Sequence, residues 1–241
     1  MKEITGIVIR NTQFRDSDAM VTVLSNEKIY SFLARGVLKI KSKNASSVNL
    51  YNKSKFTLTK NKDGFSLRTG EVINSYKTSR KNLETLSVLD FLGEVTNKLI
   101  ISEDAEQAYL WLDALLDALD DGHDPLTIAL IYLCNVLKIN GSGINVNECV
   151  ICHKKEAIVG LNFSLGGFIC RNCASSGNEP KIDPEKLKMI RFLFKVDISH
   201  ITYAIVGFKY GQEFLKELGE YVNNQFDVTL KSIQILDKTL K

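Results

Sequence analysis

The sequence predicts an α+β protein: a five-stranded β-barrel at the N-terminus, then an α-helical domain interrupted by a cysteine-rich insert. Three observations carry this reading. Apolar residues alternate with polar ones up to about residue 78 and afterwards recur at helical spacing. Four of the five cysteines stand as two close pairs. Charge is divided along the chain although the net charge is only +3. Residues 1–80 carry 15 Lys+Arg against 6 Asp+Glu, residues 81–148 carry 3 against 12, and residues 149–241 carry 13 against 10.

The strands come first. Ile7 and Ile9 alternate with polar or small neighbours, and residues 20–24 and 29–33 are β-rich runs divided by the turn-like Ser25-Asn26-Glu27-Lys28. Phe56 and Leu58 alternate with Thr57 and Thr59, as Phe65 and Leu67 do with Ser66 and Arg68. Between them Lys60-Asn61-Lys62-Asp63-Gly64 reads as a hairpin connection, and Val72 and Ile73 continue the last run. A basic five-stranded unit of this size fits the OB, or oligonucleotide-binding, barrel, so residues 1–80 are assigned to it.

Residues 81–241 are assigned to the helical domain. Leu83, Leu86, Leu89, Phe91 and Val95 predict its first helix, and Ala105, Ala108, Leu112, Leu115 and Leu116 its second. The third opens at Asp124-Pro125, an N-cap acceptor followed by a residue with no donor to lose, and stops near Asn140-Gly141. Short loops between these three imply an antiparallel bundle. Asp183-Pro184 repeats the start signal for a helix through Leu187, Ile190 and Phe194. Phe214, Leu215, Leu218 and Val222 stripe a further helix over about 212–224, and Ile233, Leu236 and Leu240 a last one. These later helices are expected to pack on the first three, making the cysteine segment at about 145–180 an insert within one domain.

The insert holds Cys149-Val-Ile-Cys152 and Cys170-Arg-Asn-Cys173, two C-x2-C pairs with 17 residues between them. Two intervening residues let a tight turn aim both sulfurs at one point, and two such turns complete a tetrahedron. Four thiolates fill the shell, so the expected ligand is one structural zinc ion per chain with no open position for hydrolysis. Gly166-Gly167 suits a tight turn before the second pair. His153 is a substitute ligand on position alone. Cys134 lies in an apolar helix and reads as core, and His123 and His200 have no Cys or His neighbour in sequence.

Other classes are disfavoured. No phosphate-binding glycine loop and no nucleophile elbow occur, so no enzyme is predicted. Asp113, Asp117, Asp120 and Asp121 lack a histidine or distant carboxylate to complete a nuclease metal site and read as a solvated helix end. The longest nearly apolar run, 126–137, is too short to span a bilayer, and residues 1–10 contain no long apolar stretch. The expectation is a cytoplasmic, nucleoid-associated protein with reduced thiols and no membrane partner.

Several segments together resemble the RecO family of bacterial recombination mediators. They are Gly6-Ile-Val-Ile, Phe14-Arg15-Asp16-Ser17-Asp18, Val21-Thr22-Val23-Leu24-Ser25, and Ala34-Arg35-Gly36-Val37 followed by Lys39, Lys41, Ser42 and Lys43. Further on come residues 163–173 around the second cysteine pair, and Leu230-Lys231-Ser232-Ile233 with Leu236. The resemblance covers nearly the whole chain. The chain departs where many members carry glycine, at Lys28 and at His153. The resemblance implies an OB domain, a helical domain and a four-cysteine zinc site. It implies binding of single- and double-stranded DNA and annealing of complementary strands. It implies two partners, the RecR ring protein and the C-terminal tail of the single-stranded-DNA-binding protein, with which the recombinase is loaded onto coated DNA.

The residues agree with that implication. A basic barrel can follow a phosphate backbone by charge, with Arg10, Arg15, Arg35, Lys39, Lys41 and Lys43 as candidate contacts. Tyr30, Phe32 and Tyr51 are candidate stacking platforms, against the barrel-core role usual for such residues. An acidic partner tail should avoid residues 81–148 and dock on later basic positions, for which Lys186, Lys188, Arg191 and Lys195 are the candidates. The rival reading is a zinc-containing protein–protein adaptor that meets DNA only through partners.

Overall fold

A computed structural model describes residues 1–62, 64–175, 181–201 and 207–240. Asp63 of the expected hairpin connection and residues 176–180 of the expected insert lie outside the described residues.

Five strands, β1 (Lys2–Gln13), β2 (Ala19–Ser25), β3 (Ile29–Ala34), β4 (Lys53–Asn61) and β5 (Gly64–Asn74), form a closed barrel in the order β1-β2-β3-β5-β4. Antiparallel β1–β4 pairing closes it, and β3 meets β5 in parallel. Closure by strands distant in sequence, with one parallel seam, is the Greek-key order of an OB-type barrel. Ile4, Val8, Tyr30, Phe32, Phe56 and Leu58 fill the interior. Ile7, Ile9 and Leu24 point the other way into the core of the helical domain. Burial on both faces explains why residues 7–9 of β1 are continuously apolar, Ile-Val-Ile, where the sequence reading expects alternation.

The helices are α1 (Leu83–Leu99), α2 (Ala105–Asp120), α3 (Pro125–Ile139), α4 (Arg171–Ser175), α5 (Pro184–Lys195), α6 (Gly211–Phe226) and α7 (Ser232–Thr239). The predicted caps operate: Asp124 accepts from Thr127 N at 2.8 Å, and Asp183 from Glu185 N at 2.7 Å. Every residue of α3 from Thr127 to Leu137 is buried, with α1, α2, α5 and α6 packed around it. One expectation fails at the start of α1. Leu83 and Leu86 are 67% and 41% exposed, and the buried stripe begins at Val88 and Leu89. Gly93, inside α1, is required by packing. A Cβ there would sit within 2.4 Å of the ring of Tyr51, which wedges between barrel and helix with its hydroxyl on Asp90.

The acidic face of α2 holds the barrel. Asp113 accepts from Lys53 Nζ at 2.7 Å and from the Tyr76 hydroxyl at 3.2 Å, Asp117 from Asn74 at 3.3 Å, and Asp120 from Ser79 N at 2.8 Å. Three of the four aspartates read as a solvated helix end are therefore the joint between the two parts of the molecule, and the fourth, Asp121, is exposed. Burial, and then the Asp113 charge one turn away, raise the Asp117 pKa.

Helix α7 has no capping side chain of its own. Glu94 of α1 supplies one, accepting from the backbone N–H groups of Lys231 and Ser232 at 3.1 and 2.8 Å, while Lys98 closes on it at 2.7 Å. Burial alone would raise the Glu94 pKa, but the donors from Lys98, Ser232 and Lys231 outweigh it and hold the carboxyl below its ordinary 4.5. A depressed carboxylate pKa gives docking that is complete above pH 4.5 and is lost as pH falls through the folded-state value. Hydrogen exchange should therefore show residues 232–239 deprotecting ahead of α3 on acidification. Glu94→Ala should produce the same local loss at pH 7, at a cost of about 1–2 kcal/mol. Equal protection of α7 in both proteins would contradict this capping role.

Candidate metal centre and nucleic-acid interface

The cysteine segment is a small hairpin with two faces. Strands β6 (Ile158–Asn162) and β7 (Gly167–Cys170) pair antiparallel. Phe168 of β7 enters the helical core, whereas Ile169 and Cys170 turn to the other side and pack with Cys149 and Ala174. Gly166 has φ +75°, and at Gly167 a Cβ would strike the Asn145 carbonyl oxygen at 2.5 Å, so this glycine pair is fixed by turn and close approach together.

The four sulfurs of Cys149, Cys152, Cys170 and Cys173 all lie within 4.8 Å of one another, and Cys152 Sγ is 3.6 Å from Cys170 Sγ. A tetrahedral four-thiolate centre with metal–sulfur bonds of about 2.3 Å needs sulfurs about 3.8 Å apart. The cluster fits a single metal ion at that size. Among the described residues it is the one group of Cys, His, Asp or Glu side chains close enough to share an ion. Burial pushes the Cys149 thiol up, but backbone N–H groups of Cys170, Cys152 and Ile151 outweigh it and bring the pKa to about 6. Donors aimed at the sulfur favour the thiolate that a metal requires. His153 is not part of this shell: its Nδ1 meets Glu148 at 2.9 Å and its side chain is 72% exposed.

The basic candidates divide into a cluster and an outlier. Loop 35–45 is tied to the β1–β2 turn by Gly36 N to Asp18 Oδ1 at 2.7 Å and Leu38 N to the Ser17 carbonyl at 3.0 Å. Gly36 has φ +61°. This fastening carries Arg15, Arg35, Lys39, Lys41 and Lys43 on adjoining loops, all exposed, and none of the five forms an ion pair among the described residues. Asn44 continues the loop onto β5, bonding the Arg68 carbonyl at 3.3 Å. Arg68, exposed and without a carboxylate partner among the described residues, is a cation the sequence reading passed over. Its neighbourhood depends on barrel closure, which no local pattern reveals. Arg10 stands apart, in a cleft between barrel, α1 and α7 that also holds Asp90 and Glu94.

Two of the three aromatic candidates do not reach solvent, and the third, Tyr51, is half-buried. Tyr30 and Phe32 are 2% and 1% exposed in the barrel core, Phe32 against Phe56 at 5.2 Å between ring centres, and Tyr51 is wedged on Gly93. The barrel-core role wins because β3 alternates with these rings inward.

The four basic positions of α5 have four fates. Lys186 is 5% exposed, with Nζ on Glu213 at 2.8 Å and Glu217 at 2.7 Å. Arg191 donates to the Val146 carbonyl at 3.0 Å and stacks over Phe168. Lys195 is exposed beside Phe194 and residues 143–147. Lys188 is exposed at a cavity of about 330 Å³ lined by Met189, Phe192, Phe208, Lys209 and Tyr210. Among the described residues, no helix is long and apolar enough to cross a membrane.

Both halves of the chain match family models, "Recombination protein O N terminal" over residues 1–76 and "Recombination protein O C terminal" over residues 80–237. A protein of Bacillus cytotoxicus described as "DNA repair protein RecO" is 28% identical over 243 residues, spanning 98% of this chain and 97% of the relative. Proteins with the same description from Bacillus cereus and Halalkalibacterium halodurans are 27% and 25% identical, spanning 98% and 97% of this chain and 97% and 93% of their own length.

The two glycine departures prove unequal. His153 has φ +60°, the left-handed region, and Lys28 does not lie there. An L side chain in that region costs about 1–2 kcal/mol, partly offset by the backbone entropy a glycine would lose. His153→Gly should therefore stabilise the protein by about 0.5–1 kcal/mol and raise its melting temperature by about 2 °C. Lys28→Gly should lower it. Thermal melts of the two variants check the pair, and a destabilised His153→Gly would refute the strain argument.

Proposed function

This chain belongs to the recombination protein O (RecO) family of DNA repair proteins, and from that premise we propose that it is a non-catalytic recombination mediator. In this reading it binds single- and double-stranded DNA and anneals complementary strands without a nucleotide fuel. It also helps load the recombinase onto DNA coated by single-strand-binding protein, together with the RecR ring protein, in the cytoplasm at the nucleoid. Residues 1–80 form the DNA-binding domain and residues 81–241 the helical domain.

The observation that carries the reading is the run of exposed cations on adjoining loops of an OB-type barrel, Arg15, Arg35, Lys39, Lys41 and Lys43, none of which forms an ion pair among the described residues. Cations that cover phosphates release counterions and reduce the repulsion between two strands, which supports both binding and annealing. Arg10 would extend the contact only where a strand passes the cleft by α1. Its acidic neighbours make it the weakest of the six.

The metal reading is one structural zinc ion held by Cys149, Cys152, Cys170 and Cys173. When bound, it would cross-link the two turns and supply folding free energy, with no substrate position. For the tail of the single-strand-binding protein, Lys188 is the best supported of the four α5 positions. It borders an aromatic-lined cavity that suits the hydrophobic end of such a tail, and it is the cation there without an ion pair among the described residues, since Lys209 faces Glu185 at 4.0 Å. Lys186 and Arg191 are engaged internally, and Lys195 borders a separate surface.

Protein purified without chelator should contain about one zinc per chain, and Cys170→Ser should lose the metal and melt at lower temperature while any folded fraction still binds DNA. Metal-free protein of undiminished stability would rule the zinc out. Lys39, Lys41 and Lys43 replaced together by alanine should weaken DNA binding about equally for all sequences and reduce the slope of log affinity against log salt by about 2–3. Annealing of coated strands should fall in parallel, and should also fall when the partner lacks its tail. Unchanged affinity and slope would remove the basic loop from the interface, and a chain that bound no DNA at all would favour the adaptor reading.

A further inference from the structure

The basic loop carries an apolar tip that phosphate binding does not use. Ile40, between Lys39 and Lys41, is 103% exposed, and Leu38 and Phe14 beside the same turn are 44% and 51% exposed. The tip is not loose chain. Val37 is buried as its anchor at 1% exposure, Gly36 and Leu38 are bonded to the β1–β2 turn, and the Lys39, Ser42 and Ala45 amides close successive tight turns at 3.3, 2.9 and 3.3 Å. An isoleucine held wholly in water on an ordered support, with Lys39 and Lys41 on either side of it in the chain, sets one apolar side chain within a cationic surface.

We propose that Ile40 is a wedge that enters between neighbouring bases of bound DNA while Arg15, Arg35, Lys39, Lys41 and Lys43 hold the phosphates on either side. The proposal rests on the DNA-binding reading above and adds a second action, unstacking. Isoleucine is among the residues that insert between base steps, and one branched side chain matches one step. A protein partner is a poor match, because a stable interface needs about 800 Å² from each side and this tip offers a single fully exposed side chain. The charge around it also selects a polyanion. Unstacked, splayed bases are the form in which a strand can test a complement, so the wedge would bear on annealing as well as on binding. Tyr30, Phe32 and Phe56 are buried in the barrel, whereas Ile40, with Phe14 and Leu38, is apolar surface that bases can reach on this face.

The test uses the full-length protein and a single-stranded oligonucleotide carrying a fluorescent aminopurine within an adenine run, a reporter that brightens when unstacked. Saturating wild-type protein should raise the fluorescence. Ile40→Ala should cut the rise at saturation by at least about threefold and leave the salt slope unchanged, because no phosphate contact is lost. Ile40→Leu should retain the rise. The triple lysine-to-alanine variant should behave in the opposite way, binding weakly yet giving the full rise once saturated. Equal rises for wild type and Ile40→Ala, or no rise with bound wild type, would overturn the wedge and leave DNA binding standing. Absence of binding by wild type would overturn both. Loss of binding to phosphatidylglycerol vesicles in Ile40→Ala, with the fluorescence unchanged, would reassign the tip to a membrane surface.

Discussion

A helix that is apolar on every side has to be covered on every side, and α3 imposes that condition on the rest of the molecule. Its residues from Thr127 to Leu137 are all buried. The first two helices cover only part of it, so the chain must return after the cysteine segment to lay α5 and α6 against what remains. The segment between is thus an excursion from the core, too short to build a large core of its own. Among the described residues, Cys149, Ile169, Cys170 and Ala174 are the ones buried together there. A cross-link through four sulfurs is the kind of support such a small unit needs.

The same economy governs charge. Three aspartates of the acidic stretch are turned onto the barrel, where Asp113, Asp117 and Asp120 engage Lys53, Asn74, Tyr76 and Ser79. A half-buried carboxylate with two donors is a stronger and more directional join than a surface ion pair. These carboxylates are engaged at the joint, and Arg15, Arg35, Lys39, Lys41 and Lys43 form no ion pair among the described residues. Lys186 shows the converse on α5: burial alone would lower its pKa, but Glu213 and Glu217 outweigh that and raise it, fixing α6 against α5.

Local pattern was legible wherever one residue's role is set by its near neighbours. The caps at Asp124 and Asp183, the paired cysteines and the period of each helix all belong to that class. What stayed hidden depends on partners far along the chain. Tyr30 and Phe32 alternate like surface-facing and core-facing residues alike, and only barrel closure decides the side. Leu83 and Leu86 keep helical spacing but precede the point where α1 meets its neighbours. Lys186 looks like its exposed neighbour Lys188 until α6 returns with two glutamates. The β6–β7 hairpin was hidden in the cysteine segment because its strands are only five and four residues long.

The capping of α7 by Glu94 ties residues of the first helix to the last, as does the Ser87–Thr239 hydroxyl contact at 2.8 Å. During synthesis the barrel strands leave the ribosome first and can close on themselves, since every pairing they need lies within the first 74 residues. The helical domain has no such early finish. Helix α1 waits with an uncovered flank, its Glu94 paired only with Lys98, until about 130 further residues have been made. The nascent chain therefore spends its longest vulnerable interval with one domain complete and the other open, and the final helix acts as the latch that ends it.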